Sequence, residues 1–156
     1  MLKLTQSSNC KMKLPNDYPK FKYHRSPISS GSIVDSDVTC VCCNTARGFI
    51  YTGPVYATKD LRDSICPWCI GDGSAHEKLD CEFVDFAAIG GFGQWDDVSD
   101  SVREEVAYRT PGFSAIQEVQ WWTHCGDAAQ FLRIEDDNVI FQCLTCEIEG
   151  GYIDFD

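Results

Sequence analysis

Apolar residues recur with helical spacing in one stretch of the chain. Over residues 96–109, three valines lie four positions apart, so a helix would carry them on one face. Ser101 and Glu104 have the spacing of a capping box near the start of this stretch. The pattern therefore predicts a helix over residues 96–109.

Two shorter helices are indicated, one over residues 70–79 and one over residues 116–122. Residues 26–37 are rich in Ser, Gly and Asp and predict a loop, whereas residues 82–94 match no single template. Alternating apolar residues bounded by turn-forming residues predict strands elsewhere. The strand candidates are residues 18–24, 47–56 around a Gly-Pro turn, 131–134, 139–142 and 151–155.

The composition is that of a globular protein with one domain or two very small ones. Of its 156 residues, 44% are hydrophobic and 12% aromatic, which is enough to build a core. No apolar run is long enough to cross a membrane, and residues 1–13 lack the apolar segment of a signal peptide. We therefore expect a cytoplasmic protein with a flexible N-terminal tail over residues 1–17.

The charge balance disfavours nucleic acid as a partner. The chain has 24 acidic and 13 basic residues, a net charge of −11 at pH 7. Nucleic-acid affinity comes mostly from Lys and Arg that neutralise phosphates, and this chain has no such surplus. A basic partner suits it better, although basic residues near the N-terminus leave a local patch as an alternative. These residues are Lys11, Lys13, Lys20, Lys22 and Arg25.

Ten cysteines, several of them in Cys-x-x-Cys pairs, indicate metal binding in a reducing compartment. The main set joins Cys40 and Cys43 to Cys66 and Cys69 across a gap of 22 residues, 44–65. Two thiolates three positions apart can bind one ion from a tight turn, and a hairpin brings the second pair round to complete a tetrahedron. This spacing predicts a structural zinc site.

Cys42 offers a Cys-x-Cys alternative to Cys43. Cys43 is preferred because Asn44 follows it, and Asn tolerates the left-handed turn that such knuckles often use. A redox role for Cys66 and Cys69 is the alternative to metal binding, but the βαβ context of thioredoxin-like enzymes is missing. No role is assigned to Cys10, Cys42 or Cys81, which suit buried apolar positions.

A second metal site is predicted from His124, Cys125, Cys143 and Cys146, with 17 residues between its two halves. Three thiolates and one imidazole would give a closed structural zinc site. The fourth ligand stays open, because adjacent residues reach one ion only if the backbone turns sharply, and His124 could instead make an ordinary hydrogen bond. The alternative fourth ligands are Asp127, Cys81, His76 and water, of which water would make the site resemble a catalytic one.

Together these features predict a small α+β protein stapled by zinc. Knuckle, hairpin, knuckle and helix follow in the order of a treble clef or zinc ribbon over about residues 36–80. A zinc-knuckle β-hairpin near the C-terminus belongs to a second module, about residues 96–156. Both modules fall in one domain, residues 18–156.

Acidic residues cluster in the second half of the chain, close in sequence to Trp95 and Phe131. Such runs are usually solvated surface, but an acidic surface with aromatic anchors also suits a basic protein. Trp121 and Trp122 are expected in the core, at least one of them against the second zinc site. The candidate partner-binding residues are Asp96, Asp97, Asp100, Glu104, Glu105, Glu135, Asp136 and Asp137.

Several motifs together resemble the CbrC family of bacterial proteins, which is associated with colicin tolerance. The resemblance runs from about residue 18 to the C-terminus, and it implies a bacterial cytosolic protein with cysteine-bound zinc and a link to toxin tolerance. The chain differs from the family at Asn44 and Glu147, where the family tends to have Gly after the knuckle. The segment between Cys125 and Cys143 is also shorter than in other members. The matching motifs are residues 19–24, 31–33, 40–43, 47–56, 66–70, 72–75, 109–113, 124–127 and 143–146.

Three classes of function follow, in order of preference. The first is a binding protein of the immunity type that neutralises a basic, nuclease-like protein toxin. The second is a hydrolase whose open second zinc site activates water near His124 or Asp127, although no general base is evident. The third is a regulatory zinc module that binds nucleic acid, which the net charge disfavours. We therefore expect no enzymatic activity and assign no catalytic residue.

Overall fold

A computed structural model describes residues 14–91 and 93–154 of the chain. It shows a small mixed α+β protein in which short helices and strands surround two hydrophobic clusters. Most of the tail predicted for residues 1–17 lies outside the described residues. Within the described ranges, no helix is long and apolar enough to cross a membrane.

A two-stranded antiparallel hairpin opens the first half of the chain. Strand β1 (Ile33–Asp35) pairs with β2 (Phe49–Tyr51). β1 lies inside the segment predicted as a loop, and that prediction was wrong because a three-residue strand is too short to show alternation. β2 confirms the first strand predicted in residues 47–56, while the second is reduced to one bridge between Tyr56 and Glu82.

The segment over residues 18–24 is not a continuous strand, since only His24 pairs, in a single bridge with Phe131. Two short helices follow the second cysteine pair, α1 (Pro67–Gly71) and α2 (Ser74–Leu79). They replace the one helix predicted over residues 70–79, because Gly73 takes a left-handed conformation (φ 83°) between them.

Helix α3 spans Asp100–Arg109 and confirms most of the predicted long helix. Its N-cap is Ser99, whose hydroxyl accepts a hydrogen bond from the Val102 amide (3.3 Å). The capping box predicted at Ser101 and Glu104 was therefore wrong, since Ser101 already lies in the first turn. A short 3₁₀ helix (Phe86–Ala88) precedes α3.

Residues 116–122 do not form the predicted helix. Tertiary partners use their amides instead: the Asp154 carboxylate accepts hydrogen bonds from the amides of Ile116 (2.7 Å) and Gln117 (2.9 Å). The Trp121 amide donates to the Ala88 carbonyl (2.9 Å). A helix would need these groups for its own ladder, so long-range contacts decide the conformation here.

The C-terminal part is antiparallel β-structure and confirms the three strands predicted there. A small hairpin of two short strands precedes a three-stranded sheet with strand order β5-β6-β7. The β5–β6 register shifts at one irregularity between Phe131 and Arg133. The strands are β3 (Thr123–His124), β4 (Asp127–Ala128), β5 (Gln130–Glu135), β6 (Asn138–Gln142) and β7 (Glu149–Ile153).

The two hydrophobic clusters divide roughly between the two halves of the chain. The first surrounds the cysteines of the first set, and the second surrounds Trp121 and the stacked rings of Phe113 and Phe131, whose centroids lie 3.9 Å apart. The clusters meet at Gly112, whose amide donates to the Tyr51 hydroxyl (3.1 Å). The carbonyl of Gly112 accepts from the Ser32 hydroxyl (2.8 Å), so one backbone segment joins both halves.

Candidate metal centres

The first cysteine set converges on one point. The sulfur atoms of Cys40, Cys43, Cys66 and Cys69 all lie within 4.8 Å of one another. The distance is 3.9 Å between the sulfurs of Cys40 and Cys69, and also between those of Cys43 and Cys66. Sulfurs at the corners of a tetrahedron with metal–sulfur bonds of about 2.3 Å are about 3.8 Å apart. This set could therefore hold a metal ion of zinc-like geometry.

The first knuckle is shaped by a left-handed residue. Asn44 has φ 59°, as the sequence predicts, and its amide donates to the Cys40 carbonyl (2.8 Å). The turn places the Cys42 amide 3.3 Å from the Cys40 sulfur, and the Cys66 amide reaches the same sulfur at 3.3 Å. These amides stabilise a thiolate at Cys40, the form that binds metal.

Cys42 is not part of the converging set. Its thiol points towards α2 and donates to the Ser74 hydroxyl (3.6 Å), whereas Cys43 faces the other three sulfurs. Cys81 is likewise buried elsewhere, with its thiol donating to the Ala75 carbonyl (3.6 Å). The geometry thus favours the Cys-x-x-Cys spacing over the Cys-x-Cys alternative.

The thiols of the first set affect each other's protonation. The pKa of Cys40 is lowered to about 4, because the Cys66 thiol and nearby backbone amides donate hydrogen bonds to it. The pKa of Cys66 is raised, because it donates that bond to Cys40 and is buried. A divalent cation at the centre would favour the thiolate form of all four groups.

The second set depends on a tight turn between β3 and β4. Cys125 (φ 55°) and Gly126 (φ 74°) both adopt left-handed conformations, as a two-residue type I′ hairpin turn requires. The turn lets adjacent residues face one centre, with 3.4 Å between His124 Nδ1 and the Cys125 sulfur. The Asp96 carboxylate braces it by accepting a hydrogen bond from the Gly126 amide (2.8 Å).

Cys143 and Cys146 complete this second set, whose four ligand atoms lie within 4.8 Å of one another. The Cys146 sulfur is 3.6 Å from His124 Nδ1. A tetrahedral ion with zinc–nitrogen and zinc–sulfur bonds of ordinary length would separate such atoms by about 3.6 Å. The set could therefore also hold a metal ion, with His124 as the fourth ligand.

The alternative fourth ligands have other partners. Asp127 accepts a hydrogen bond from the Tyr23 hydroxyl (2.8 Å). His76 stacks on Tyr108 with ring centroids 3.5 Å apart, and its Nδ1 lies 2.9 Å from the Cys81 carbonyl. Neither Asp127, His76 nor Cys81 belongs to the converging group in the described part of the chain.

The second knuckle has the same backbone conformation as the first. Glu147 has φ 70°, in the place of Asn44, and its amide donates to the Cys143 carbonyl (3.1 Å). The Thr145 and Cys146 amides both lie 3.4 Å from the Cys143 sulfur. Burial alone would raise the pKa of Cys143, but these amides and His124 lower it to about 6.

The two sets differ in exposure. Cys40, Cys66 and Cys69 are buried, whereas Cys125 and Cys146 are exposed and only Cys143 of the second set is buried. The second set nonetheless rests on the core, because Trp122 is buried and stacks on His124 with ring centroids 5.1 Å apart. The prediction of a buried tryptophan against this site is confirmed.

The eight acidic residues predicted to bind a partner fall on two parts of the surface, the first half of α3 with the residues before it and the β5–β6 turn. Arginines accompany several of them: Arg103 contacts Asp97 and Asp100, and Arg133 lies 3.2 Å from Glu135. Sequence reasoning missed the role of Asp96 as a brace, because the turn it holds lies 30 residues away in the chain.

The fold and the two converging sets define a small α+β protein with two candidate metal centres of the knuckle type. A family model described as the uncharacterised protein family UPF0167 matches residues 18–138, and the chain belongs to that family. The matched segment contains the whole first set and ends before Cys143. The description of this family does not carry the CbrC name, so the identity of the two families stays a prediction.

The relatives are bacterial. UPF0167 proteins of Mycobacterium bovis and Mycobacterium tuberculosis are each 48% identical over 121 residues, which covers 76% of this chain and 61% of theirs. One from Pseudomonas aeruginosa is 42% identical over 114 residues, covering 72% of this chain and 62% of its own. The chain thus spans less than two thirds of the length of these relatives. No solved structure matches it.

Proposed function

We propose that this is a non-enzymatic binding protein, stapled by two structural zinc ions, that neutralises a basic protein toxin by direct contact. The observation that carries the proposal is that each set brings four protein ligand atoms within 4.8 Å of one another. Structural zinc sites use four protein ligands, whereas catalytic sites keep one position for water or substrate.

The same observation weighs against the hydrolase alternative. With His124 in the ligand set, no histidine near the second site is left to act as a general base. His24 is buried with Nδ1 2.8 Å from the Pro111 carbonyl and Nε2 2.9 Å from the Ser30 hydroxyl. His76 is held by Tyr108 and by the Cys81 carbonyl.

Charge supports a basic partner. Residues 26–156 contain 23 acidic and only 7 basic residues, so most of the chain presents a negative field. Such a field attracts a basic protein and accelerates its association. The family resemblance implies a link to toxin tolerance, and a nuclease-like toxin fits the charge of this chain because nucleases carry basic surfaces for their substrate.

Zinc content tests the metal part of the proposal. The purified protein is expected to contain two zinc ions per chain by mass spectrometry, with one lost in Cys66→Ser and one lost in Cys143→Ser. Cys42→Ser is the matched control and is expected to keep both ions, because its thiol lies outside the set. A single ion, lost only in Cys66→Ser, would contradict the second site.

Binding tests the partner. The candidate toxin, a basic nuclease encoded beside the gene if one is present, is titrated with the zinc-loaded protein by calorimetry. We expect tight binding that weakens between about 50 and about 300 mM salt. Charge reversal of Asp97 and Glu135 is expected to weaken binding, whereas reversal of Asp60 is the control. The proposal fails if the toxin does not bind, and salt-independent binding would remove the electrostatic argument.

A further inference from the structure

Charge is distributed unevenly along the chain. The first 25 residues contain six basic residues and one acidic residue, whereas the other 131 contain 7 basic and 23 acidic residues. The described part of this basic segment packs against the first cluster through Phe21, which is buried. A local positive region therefore exists on a molecule whose net charge is −11.

A groove with a volume of about 720 Å³ lies within this basic region. Its walls include the rings of Pro15, Pro19 and Pro27 together with Phe21 and Ile28. Prolines fix their own backbone dihedral angles, so these walls are stiff before any ligand arrives. The volume falls in the range typical of small-molecule sites.

Three cations line the groove, and none of its described lining residues is a carboxylate. Arg25 donates to the neutral amides of Gln130 (2.8 Å) and Gln142. Lys22 lies 3.9 Å from an Asp127 oxygen, a long and partly exposed pair. Among the described residues, no carboxylate lies within 4.0 Å of the Lys20 or Arg25 cations, so their charge remains available to an anion.

Tyr18 forms part of the groove wall. Its ring also lines the groove and is fixed edge-to-face against Trp68 and Phe49, at centroid distances of 5.7 and 5.5 Å. Its hydroxyl is buried, has no hydrogen-bond partner among the described residues and is not open to a ligand in the groove. The ring therefore contributes a fixed wall rather than a polar contact.

We propose that this groove binds a small amphipathic anion, with its hydrocarbon body against Phe21, Ile28 and the prolines. Its anionic head lies near Lys20, Lys22 and Arg25. Nucleic acid fits less well, because Phe21 is buried and the Tyr18 ring is already packed against Trp68 and Phe49, so neither ring is an open platform for stacking bases. The inference is independent of toxin binding and of either metal centre.

Binding of model amphiphiles to the zinc-loaded full chain tests the proposal. Decanoate and decyl phosphate, kept below their micelle concentrations, are titrated by calorimetry, with decanol and decyltrimethylammonium as neutral and cationic controls. We expect saturable one-to-one binding of an anion and much weaker binding of both controls. Binding of decanoate alone would assign a carboxylate ligand, and binding of decyl phosphate alone a phosphate ester.

Variants connect the binding to the groove. Lys20→Glu with Lys22→Glu is expected to weaken anion binding at least about tenfold. The matched control, Lys59→Glu with Lys78→Glu, changes two exposed lysines outside the groove and is expected to leave binding unchanged. Zinc content and thermal unfolding confirm that each variant is folded.

Three outcomes would overturn the proposal. Equal affinity for decanol or for the cationic amphiphile would reduce the groove to a nonspecific apolar surface. Unchanged affinity in the double groove variant would place the anion elsewhere. Tight binding of an oligonucleotide that competes with decanoate would assign the positive region to nucleic acid instead.

Discussion

Both knuckles hold a residue other than glycine in the left-handed region, Asn44 at φ 59° and Glu147 at φ 70°. This conformation costs most residues roughly 1–2 kcal/mol, and Asn less because its short polar side chain hydrogen-bonds locally. The family resemblance places Gly at these two positions. Having Asn44 and Glu147 instead of Gly therefore adds backbone strain to each knuckle but keeps its backbone hydrogen bond.

We predict that Glu147→Gly stabilises the zinc-loaded protein by about 0.5–1 kcal/mol, because it relieves that strain at an exposed position. Asn44→Gly is the matched control, with a smaller expected gain. Urea unfolding followed by fluorescence measures both. A loss of stability in Glu147→Gly would show that the glutamate side chain contributes more than its backbone strain costs.

His24 is a core residue rather than a metal ligand. It is fully buried, and its ring packs edge-to-face on Phe131 at a centroid distance of 5.0 Å. Burial lowers its pKa to about 4, although the hydrogen bond to the Pro111 carbonyl opposes the shift. The folded protein therefore keeps this ring neutral at pH values where the unfolded chain protonates it.

The free energy of unfolding therefore has its full contribution from the neutral His24 ring above about pH 6.5. It falls by up to about 3 kcal/mol as the pH drops towards 4, because only the unfolded chain binds the proton in this range. We predict that a proton NMR titration of the zinc-loaded protein finds His24 neutral at pH 5. Because release of a bound metal ion would also destabilise the protein in acid, the ring titration itself is the measurement. A midpoint for His24 near 6.5 would contradict the prediction.

At the scale of elements, the two knuckles have the same backbone but different surroundings. The first is enclosed by β2, α1 and the first cluster, and three of its cysteines are buried. The second joins the β3–β4 turn to the end of β6, and its Cys125 and Cys146 are exposed. Opening the second knuckle requires little loss of core contact.

We predict that a chelator removes one zinc ion faster than the other, on the order of tenfold, because local opening of the second set exposes less buried surface. A colorimetric zinc indicator follows the release. Cys143→Ser is expected to lack the fast phase and Cys66→Ser the slow phase. The opposite assignment would show that exposure does not govern release here.

At the scale of the whole molecule, the two clusters meet at one line of contacts between Tyr51 and Gly112, here called the seam. The Tyr51 hydroxyl donates to the Pro54 carbonyl (2.7 Å) and accepts from the Gly112 amide (3.1 Å), linking β2 to the segment after α3. A Cβ atom on Gly112 would lie 2.4 Å from the Phe83 carbonyl oxygen, so the two backbone segments approach too closely for any side chain at position 112. The halves should therefore unfold together.

We predict a single unfolding transition by circular dichroism and tryptophan fluorescence, with Tyr51→Phe lowering stability by about 2 kcal/mol. The substitution leaves the buried Gly112 amide and the partly buried Pro54 carbonyl without their partner. Tyr56→Phe, at a more exposed ring, is the control and is expected to have little effect. Two separate transitions would show that the seam does not couple the clusters.

The sequence by itself determined the local features. The Cys-x-x-Cys spacing and the left-handed Asn44 depend on interactions within a few residues. The three C-terminal strands were also recognisable, because the alternation of apolar and polar residues within each strand is a local pattern. The two cysteine sets were also predicted, because matched pairs of thiols at these separations have few alternatives. Apolar periodicity also predicted α3. The predicted helix ends at the observed residue and begins four residues too early.

Only the tertiary structure decided which groups converge. Bringing the Cys43 sulfur to Cys66, and His124 to Cys146, depends on packing between residues more than 20 positions apart. The same holds for residues 116–122, where partners on β7 and beyond take the amides that a helix needs. Local patterns cannot encode such choices, because the competing states differ only in contacts that the folded chain brings together.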